Sequence, residues 1–194
     1  MDLFSTPATL LVADPEGGIH YHPDFATPDQ ARAWFDILSR DADWSQQRRP
    51  MYDRVVDVPR LQAAYAVETL PPALPLADML ARVRAQVEAP FNAIGLNLYR
   101  HGSDSVAMHN DKLHTLVPGQ PIALVSLGAS RRMNIRAKHG QERALGVDLE
   151  PGSLLVMSHA SQHTHEHGIP KTTRAVGVRM SVVFRVRPQR WVGQ

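Results

Sequence analysis

Residues 122–157 read IALVSLGASRRMNIRAKHGQERALGVDLEPGSLLVM. Short apolar or alternating runs, Ile122–Leu127, Arg132–Arg136, Val147–Leu149 and Ser153–Met157, are split by turn formers at Gly128, Gly140 and Pro151-Gly152. Runs this short and this regularly punctuated read as β-strands, not as helices cut by glycine. The same grammar extends outward. Ile94–Tyr99 lies upstream and Val176–Val186 downstream, with Gly102-Ser103-Asp104, Pro118-Gly119 and Gly168 between. Many short strands joined by turns predict a sandwich or barrel.

The N-terminal part has another texture. Thr27-Pro28-Asp29 sets a capping hydroxyl ahead of a proline, and Ala31, Trp34, Phe35 and Leu38 follow at helical spacing. A second helix is predicted from about Pro75, with Leu76, Met79, Leu80, Val83 and Val87 forming its apolar stripe. Residues 45–72, rich in Pro, Arg and Tyr, read as an irregular or edge-strand segment running over the surface. The expectation is one α+β, β-rich domain over residues 1–194. Residues 1–90 would give helical support and a substrate lid, and residues 91–188 a β-core.

Composition bounds the chemistry. At 194 residues, 43% hydrophobic and 21% charged, the chain is of ordinary globular make-up. A net charge of +2 permits a polyanionic partner without the strongly basic footprint of a dedicated nucleic-acid binder. Cysteine is absent, which excludes disulfides, thiolate metal sites and a cysteine nucleophile. No apolar run approaches a membrane span and no basic signal region opens the chain. The expectation is a soluble, cytoplasmic protein with no membrane contact, its oligomeric state unknown and monomeric by default.

Ten histidines stand out. His109-Asn110-Asp111 is an H-x-D unit, and residues two apart on a strand point the same way, so imidazole and carboxylate can converge. Two thirds of a 2-His-1-carboxylate facial triad are thereby in place. The second histidine must come from the run 158–170, SHASQHTHEHGIP, where His163, His165 and His167 alternate. A zinc or nickel site within that run alone competes with this reading. Arg179-Met-Ser-Val-Val-Phe-Arg185 then sets two arginines and Ser181 on one face of an apolar strand. Arginine cannot be neutralised, so a buried pair needs anions, and a dicarboxylic acid supplies two carboxylates. Asn97 and Tyr99, alternating on the strand before the H-x-D unit, can donate to the same small anion.

These pieces resemble the AlkB-type dioxygenases, the oxidative dealkylation-repair family. The matching segments are Asn97–Arg100, Asp104–Asp111, Ile122–Gly128, Gly152–Met157, Gln162–Lys171 and Arg179–Arg185, with Val58–Tyr65 upstream. Together they span roughly residues 44–188. The resemblance implies a double-stranded β-helix, or jelly roll, holding Fe(II) between His109, Asp111 and His167. It implies that Asn97, Tyr99 and Arg179 hold the far carboxylate of 2-oxoglutarate, with Ser181 where asparagine is usual and Arg185 near the keto-acid end. It also implies O2-dependent decarboxylation to succinate, with hydroxylation of an N-alkyl group on a base and loss of that group as an aldehyde.

A base inside a duplex cannot reach buried iron, so the implied partner is single-stranded or flipped-base nucleic acid. Arg48, Arg49, Tyr52 and Arg54 offer cations and a ring for its edge. Some positions depart from the family pattern: Lys112-Leu113 after the metal aspartate, Ala66 after Tyr65, and His165 where an aromatic is common. Two other readings stand beside demethylation: a dioxygenase acting on a protein side chain or small molecule, and a non-enzymatic metal-binding β-barrel.

Overall fold

The computed structural model describes residues 6–51, 54–140 and 143–189. In chain order the elements are β1 (Thr9–Val12), β2 (Ile19–His22), α1 (Pro28–Asp41), β3 (Ser45–Met51), β4 (Arg54–Ala66), α2 (Leu76–Gln86), β5 (Ala93–Tyr99), β6 (Val106–His109), β7 (Ile122–Gly128), β8 (Arg131–Ala137), β9 (Leu145–Leu149), β10 (Leu154–Met157), α3 (His159–Thr164), β11 (His165–Ile169) and β12 (Arg179–Arg185). An eight-stranded sheet has the order β1-β2-β10-β7-β12-β5-β4-β3, and a four-stranded sheet the order β6-β11-β8-β9. The pairings within them are antiparallel. The two sheets face each other as a double-stranded β-helix.

Alternation along the central strands divides the core in two. Met180, Val182 and Phe184 of β12 and Ile94, Leu96 and Leu98 of β5 point outward, onto Trp34 and Leu38 of α1 and Met79 and Val83 of α2. The other face turns toward the small sheet. There Tyr99, Leu124, Leu155, Met157 and Val183 meet Met133, Ile135, Val147, Leu149 and Ile169. The helices thus seal one side of the large sheet, and the small sheet covers the other.

Both helices begin where the sequence puts them. The Thr27 hydroxyl accepts the Gln30 N–H at 3.3 Å with Pro28 as the first helical residue. Trp34 Nε1 donates to Asp78 Oδ2 at 3.0 Å, which ties α1 to α2.

The segment over residues 45–72 departs from expectation. It forms a long hairpin, with β3 at the sheet edge and the thirteen-residue β4 paired on both sides. Two prolines argued against a strand inside the sheet, yet neither breaks a ladder. Pro50 lies on the edge strand, and Pro59 sits at the irregularity where Gln46 pairs Leu61 but Arg48 pairs Asp57. The β4–β5 ladder starts only at Leu61, beyond Pro59. The N-terminal part therefore supplies four strands as well as two helices. His109 also ends a strand of its own, β6, in the opposite sheet from Asn97 and Tyr99. No helix among the described residues is long and apolar enough to cross a membrane.

Leu38 is fully buried beneath the sheet. Leu38→Ala should lower unfolding free energy by about 2–5 kcal/mol in urea melts, with the slope unchanged.

Candidate active site

In the small sheet, His109 and His167 sit directly opposite one another on β6 and β11. Their ring centroids lie 4.6 Å apart, tilted by 49°. Close approach of the two strands requires Gly168, where a Cβ would lie 2.9 Å from the Val106 carbonyl oxygen. His109 Nδ1 lies 2.9 Å from the Ala107 carbonyl oxygen, which can only accept. Nδ1 therefore carries the proton, and Nε2 is left as the ligating nitrogen.

The other two histidines of the run are drawn elsewhere. His163 lies on α3, not on a strand, with its ring edge-on to His159 at 5.1 Å. His165 Nδ1 is 2.8 Å from the Thr164 hydroxyl. A metal site built within residues 158–170 alone would need three histidines on one extended face, and the helix removes that face.

Asp111 stands just past β6. Arg185 Nε donates to its Oδ2 at 2.7 Å and Nη2 to its Oδ1 at 3.2 Å, with both side chains largely buried. Gly95 lies beneath this arginine, and a Cβ there would come within 3.2 Å of Nη1. Burial alone would raise the Asp111 carboxyl, but Arg185, His167 and His109 outweigh it and hold the group down to about 2. Burial, reinforced by His109 and opposed by Asp111, pushes His167 down to about 4. Both groups are thus in the deprotonated form a metal needs at neutral pH. Among the described residues no three His, Asp or Glu side chains close round a common point. Asp111 is the one turned aside, with both oxygens on Arg185.

The large sheet supplies the opposite wall. Register aligns Tyr99, Arg179 and Gly128 in one row, and Gln62, Asn97, Ser181 and Ser126 in the next. Arg179 is wholly buried. Its Nε donates to Ser126 Oγ at 3.2 Å, while Nη1 and Nη2 lack a partner among the described residues. Its guanidinium lies 5.2 Å from the Tyr99 ring centroid. Burial pulls its pKa downward, though arginine stays charged. A buried cation with two free donor nitrogens is a socket for a carboxylate. Asn97 Oδ1 accepts from Arg60 Nε at 2.8 Å and Gln62 Nε2 at 3.1 Å, leaving its amide nitrogen 3.5 Å from Ser181 Oγ.

All eight metal and co-substrate candidates line one cleft of about 1160 Å³, between the sheets and open beside the β3–β4 hairpin. Arg48 is exposed and ion-paired with Asp57 at 2.9 Å. Tyr52 and the side chains of Arg49 and Arg54 lie outside the described residues.

A family model described as the 2OG-Fe(II) oxygenase superfamily matches residues 18–185. The chain belongs to this superfamily. Its relatives there are of the AlkB type. It is 30% identical to "Alpha-ketoglutarate-dependent dioxygenase alkB homolog 3" of Bos taurus, over 84% of this chain and 64% of that protein. It is 32% identical to "DNA oxidative demethylase ALKBH2" of Homo sapiens, over 66% of this chain and 56% of that one. The chain thus spans between 56% and 64% of these relatives' length. "The structure of OsALKBH1" superposes with a TM-score of 0.61 at 16% identity, covering 93% of this chain and all of that one, and so shares the fold.

The 2OG-Fe(II) oxygenases use Fe(II), 2-oxoglutarate and O2, and the residues present fit the metal and the co-substrate. Two imidazoles and a carboxylate meet the iron's preference, and Arg179 meets that of a dicarboxylate. Sequence reasoning missed Arg60, Gln62, Ser126, Arg131 and Gln162. Ser126 was visible as a lone polar residue inside Ile122–Leu127, whereas Arg60 and Gln62 needed the β4–β5 pairing to bring them to Asn97.

The two shifted groups set a pH dependence for the metal-free protein. Between pH 6.5 and 4 the unfolded chain protonates at the His167 position while the folded one does not, so stability falls as pH falls through this window. Asp111 adds a further loss as pH falls from 3.8 toward 2. Urea melts in chelator should show the first loss, on the order of 3 kcal/mol, and His167→Gln should remove it.

Proposed function

We propose that this chain oxidatively demethylates N-alkylated bases in single-stranded or flipped-out nucleic acid, using Fe(II), 2-oxoglutarate and O2. The observation that carries the reading is Arg179: a fully buried guanidinium with two unpartnered nitrogens, across the cleft from a histidine pair. A cation so placed demands an anion, and 2-oxoglutarate is the anion of the superfamily.

We assign His109, Asp111 and His167 as iron ligands, with the Ala107 carbonyl fixing the tautomer of the first. Iron bound there, with O2 and 2-oxoglutarate, supplies the oxidation of an N-alkyl carbon. Arg179, with Tyr99, Asn97 and Ser181 beside it, binds the far carboxylate of the co-substrate. Arg185 holds Asp111 and stands ready for the keto-acid end. Leu124, Met133, Met157, Ile169 and Val183 give the cleft its apolar lining. The hydroxylated N-methyl group then falls off as formaldehyde, leaving the base N–H.

Support for a nucleic-acid target comes from the relatives and from the mouth of the cleft. Lys112, Lys171 and Arg187 line it with no ion pair or side-chain hydrogen bond among the described residues. Unpaired cations beside a cleft attract phosphates. Arg48, Arg49, Tyr52 and Arg54 remain our assignment for the outer edge of the substrate.

Purified protein with Fe(II), ascorbate and air should form succinate from added 2-oxoglutarate. Single-stranded DNA carrying 1-methyladenine or 3-methylcytosine should stimulate it, with matching formaldehyde. Slow turnover indifferent to DNA would move the substrate to a protein side chain or small molecule. No succinate from folded, iron-loaded protein would sink the enzyme reading.

Arg179→Ala should raise the apparent KM for 2-oxoglutarate roughly ten- to hundredfold, the equivalent of losing a charge-assisted hydrogen bond. Lys112→Gln and Lys171→Gln should each flatten the salt dependence of single-strand binding. The slope of log K against log salt should fall by roughly 0.7 for each phosphate that is no longer neutralised.

A further inference from the structure

Asp111 has a structural difficulty that its two partners do not. His109 and His167 are held by the β6–β11 ladder, but Asp111 lies beyond the end of β6, where no strand fixes its backbone. Its N–H is instead taken by a side chain. Gln162 Oε1 accepts it at 3.0 Å across 51 positions of sequence.

Gln162 is itself held on several sides. It is 1% exposed. Its Nε2 donates to Ser161 Oγ at 3.2 Å and faces Met157 Sδ at 3.9 Å, so the amide cannot turn over without losing donors. Its carbonyl accepts Lys138 Nζ at 2.6 Å, from the end of β8. The short helix α3 that carries it is fixed at its start by residues from the turn between β1 and β2. Asp14 Oδ2 accepts the Ser158 hydroxyl at 2.5 Å, Glu16 Oε2 accepts the Ala160 N–H at 2.6 Å, and the Gly18 carbonyl accepts the Ser158 N–H at 2.9 Å. The same segment runs on into β11 and delivers His167 five residues later.

We infer that Gln162 is a positioning residue for the metal carboxylate: its amide oxygen replaces the missing ladder bond at Asp111 and fixes that residue in register with His167. The inference rests on the iron-site assignment proposed above. Gln162 touches neither iron nor co-substrate in this role. It works by removing backbone freedom from the one ligand that secondary structure leaves loose, while Arg185 orients the carboxylate from the opposite side.

The role separates metal affinity from co-substrate affinity, because Arg179 and Asn97 lie on the other sheet. Mn(II) binding by calorimetry, followed by 2-oxoglutarate binding to the Mn(II)-saturated protein, reads the two apart. Gln162→Leu keeps the volume and loses the acceptor. It should weaken Mn(II) binding about tenfold or more, the usual scale for an outer hydrogen bond to a metal ligand, with 2-oxoglutarate affinity within about threefold of the parent. Gln162→Glu retains an acceptor oxygen and should recover most of the loss.

A Leu variant that binds Mn(II) as tightly as the parent overturns the inference. So does a Glu variant as weak as the Leu variant with 2-oxoglutarate affinity falling in step, since that marks general loss of packing. If the Leu variant does not fold, Lys138→Met leaves the amide in place but frees the carbonyl tie. It should weaken Mn(II) binding about threefold, a smaller loss than direct removal of the acceptor, and no change there is equally fatal. A parent protein that binds no Mn(II) overturns the iron-site assignment and this inference together, whereas a binding parent with an indifferent Leu variant overturns the inference alone.

Discussion

A guanidinium buried in an apolar sandwich has to be answered by an anion, and the architecture is arranged round that demand. Arg179 projects from the middle of the large sheet into the space between the sheets, where the serine at its Nε and the ring of Tyr99 satisfy only part of it. A second buried cation sharpens the point. Among the described residues Arg131 donates only to the carbonyls of His101, Asp104 and Pro170, with its guanidinium 6.0 Å from the same Tyr99 ring. Two positive charges near one aromatic ring leave this end of the cleft a strong attractor for a carboxylate.

The opposite end has the complementary problem. Two imidazoles and a carboxylate gather in the cleft, and the carboxylate is neutralised by Arg185 from the same strand that carries Arg179. A single strand thus presents one cation to each end of the cleft. Even spacing carries them along the same face, with Ser181 and Val183 between. Gly95 on the neighbouring strand leaves room for the guanidinium, since a Cβ there would lie 3.2 Å from Arg185 Nη1.

Stability and function draw on different faces of one sheet. The helices α1 and α2 give the outward face a dense apolar cover, so the inward face can hold polar rows and an open cleft without forfeiting the fold. The polar row Gln62, Asn97, Ser181 and Ser126 would be a defect in an ordinary sandwich core. Here it lies on the side where the second sheet stands off and admits solvent and ligand.

Periodicity and punctuation in the sequence determined much of this. Most strands of the C-terminal half, both supporting helices and the arginine pair follow from side-chain alternation and from turn residues, which are local properties, but β6 and β11, which carry the two histidines, did not stand out. The choice of His167 among three alternating histidines came from family resemblance, not from spacing. Tertiary structure alone decided that the proline-bearing segment at 45–66 is a hairpin, since only pairing partners show that Pro50 falls on the edge strand and Pro59 at a register shift. It alone set His163 on a helix, turned both Asp111 oxygens onto Arg185, and brought Gln162 to the Asp111 backbone. The last two pairings reach across 74 and 51 positions of sequence, and no local pattern encodes which distant segment will stand alongside.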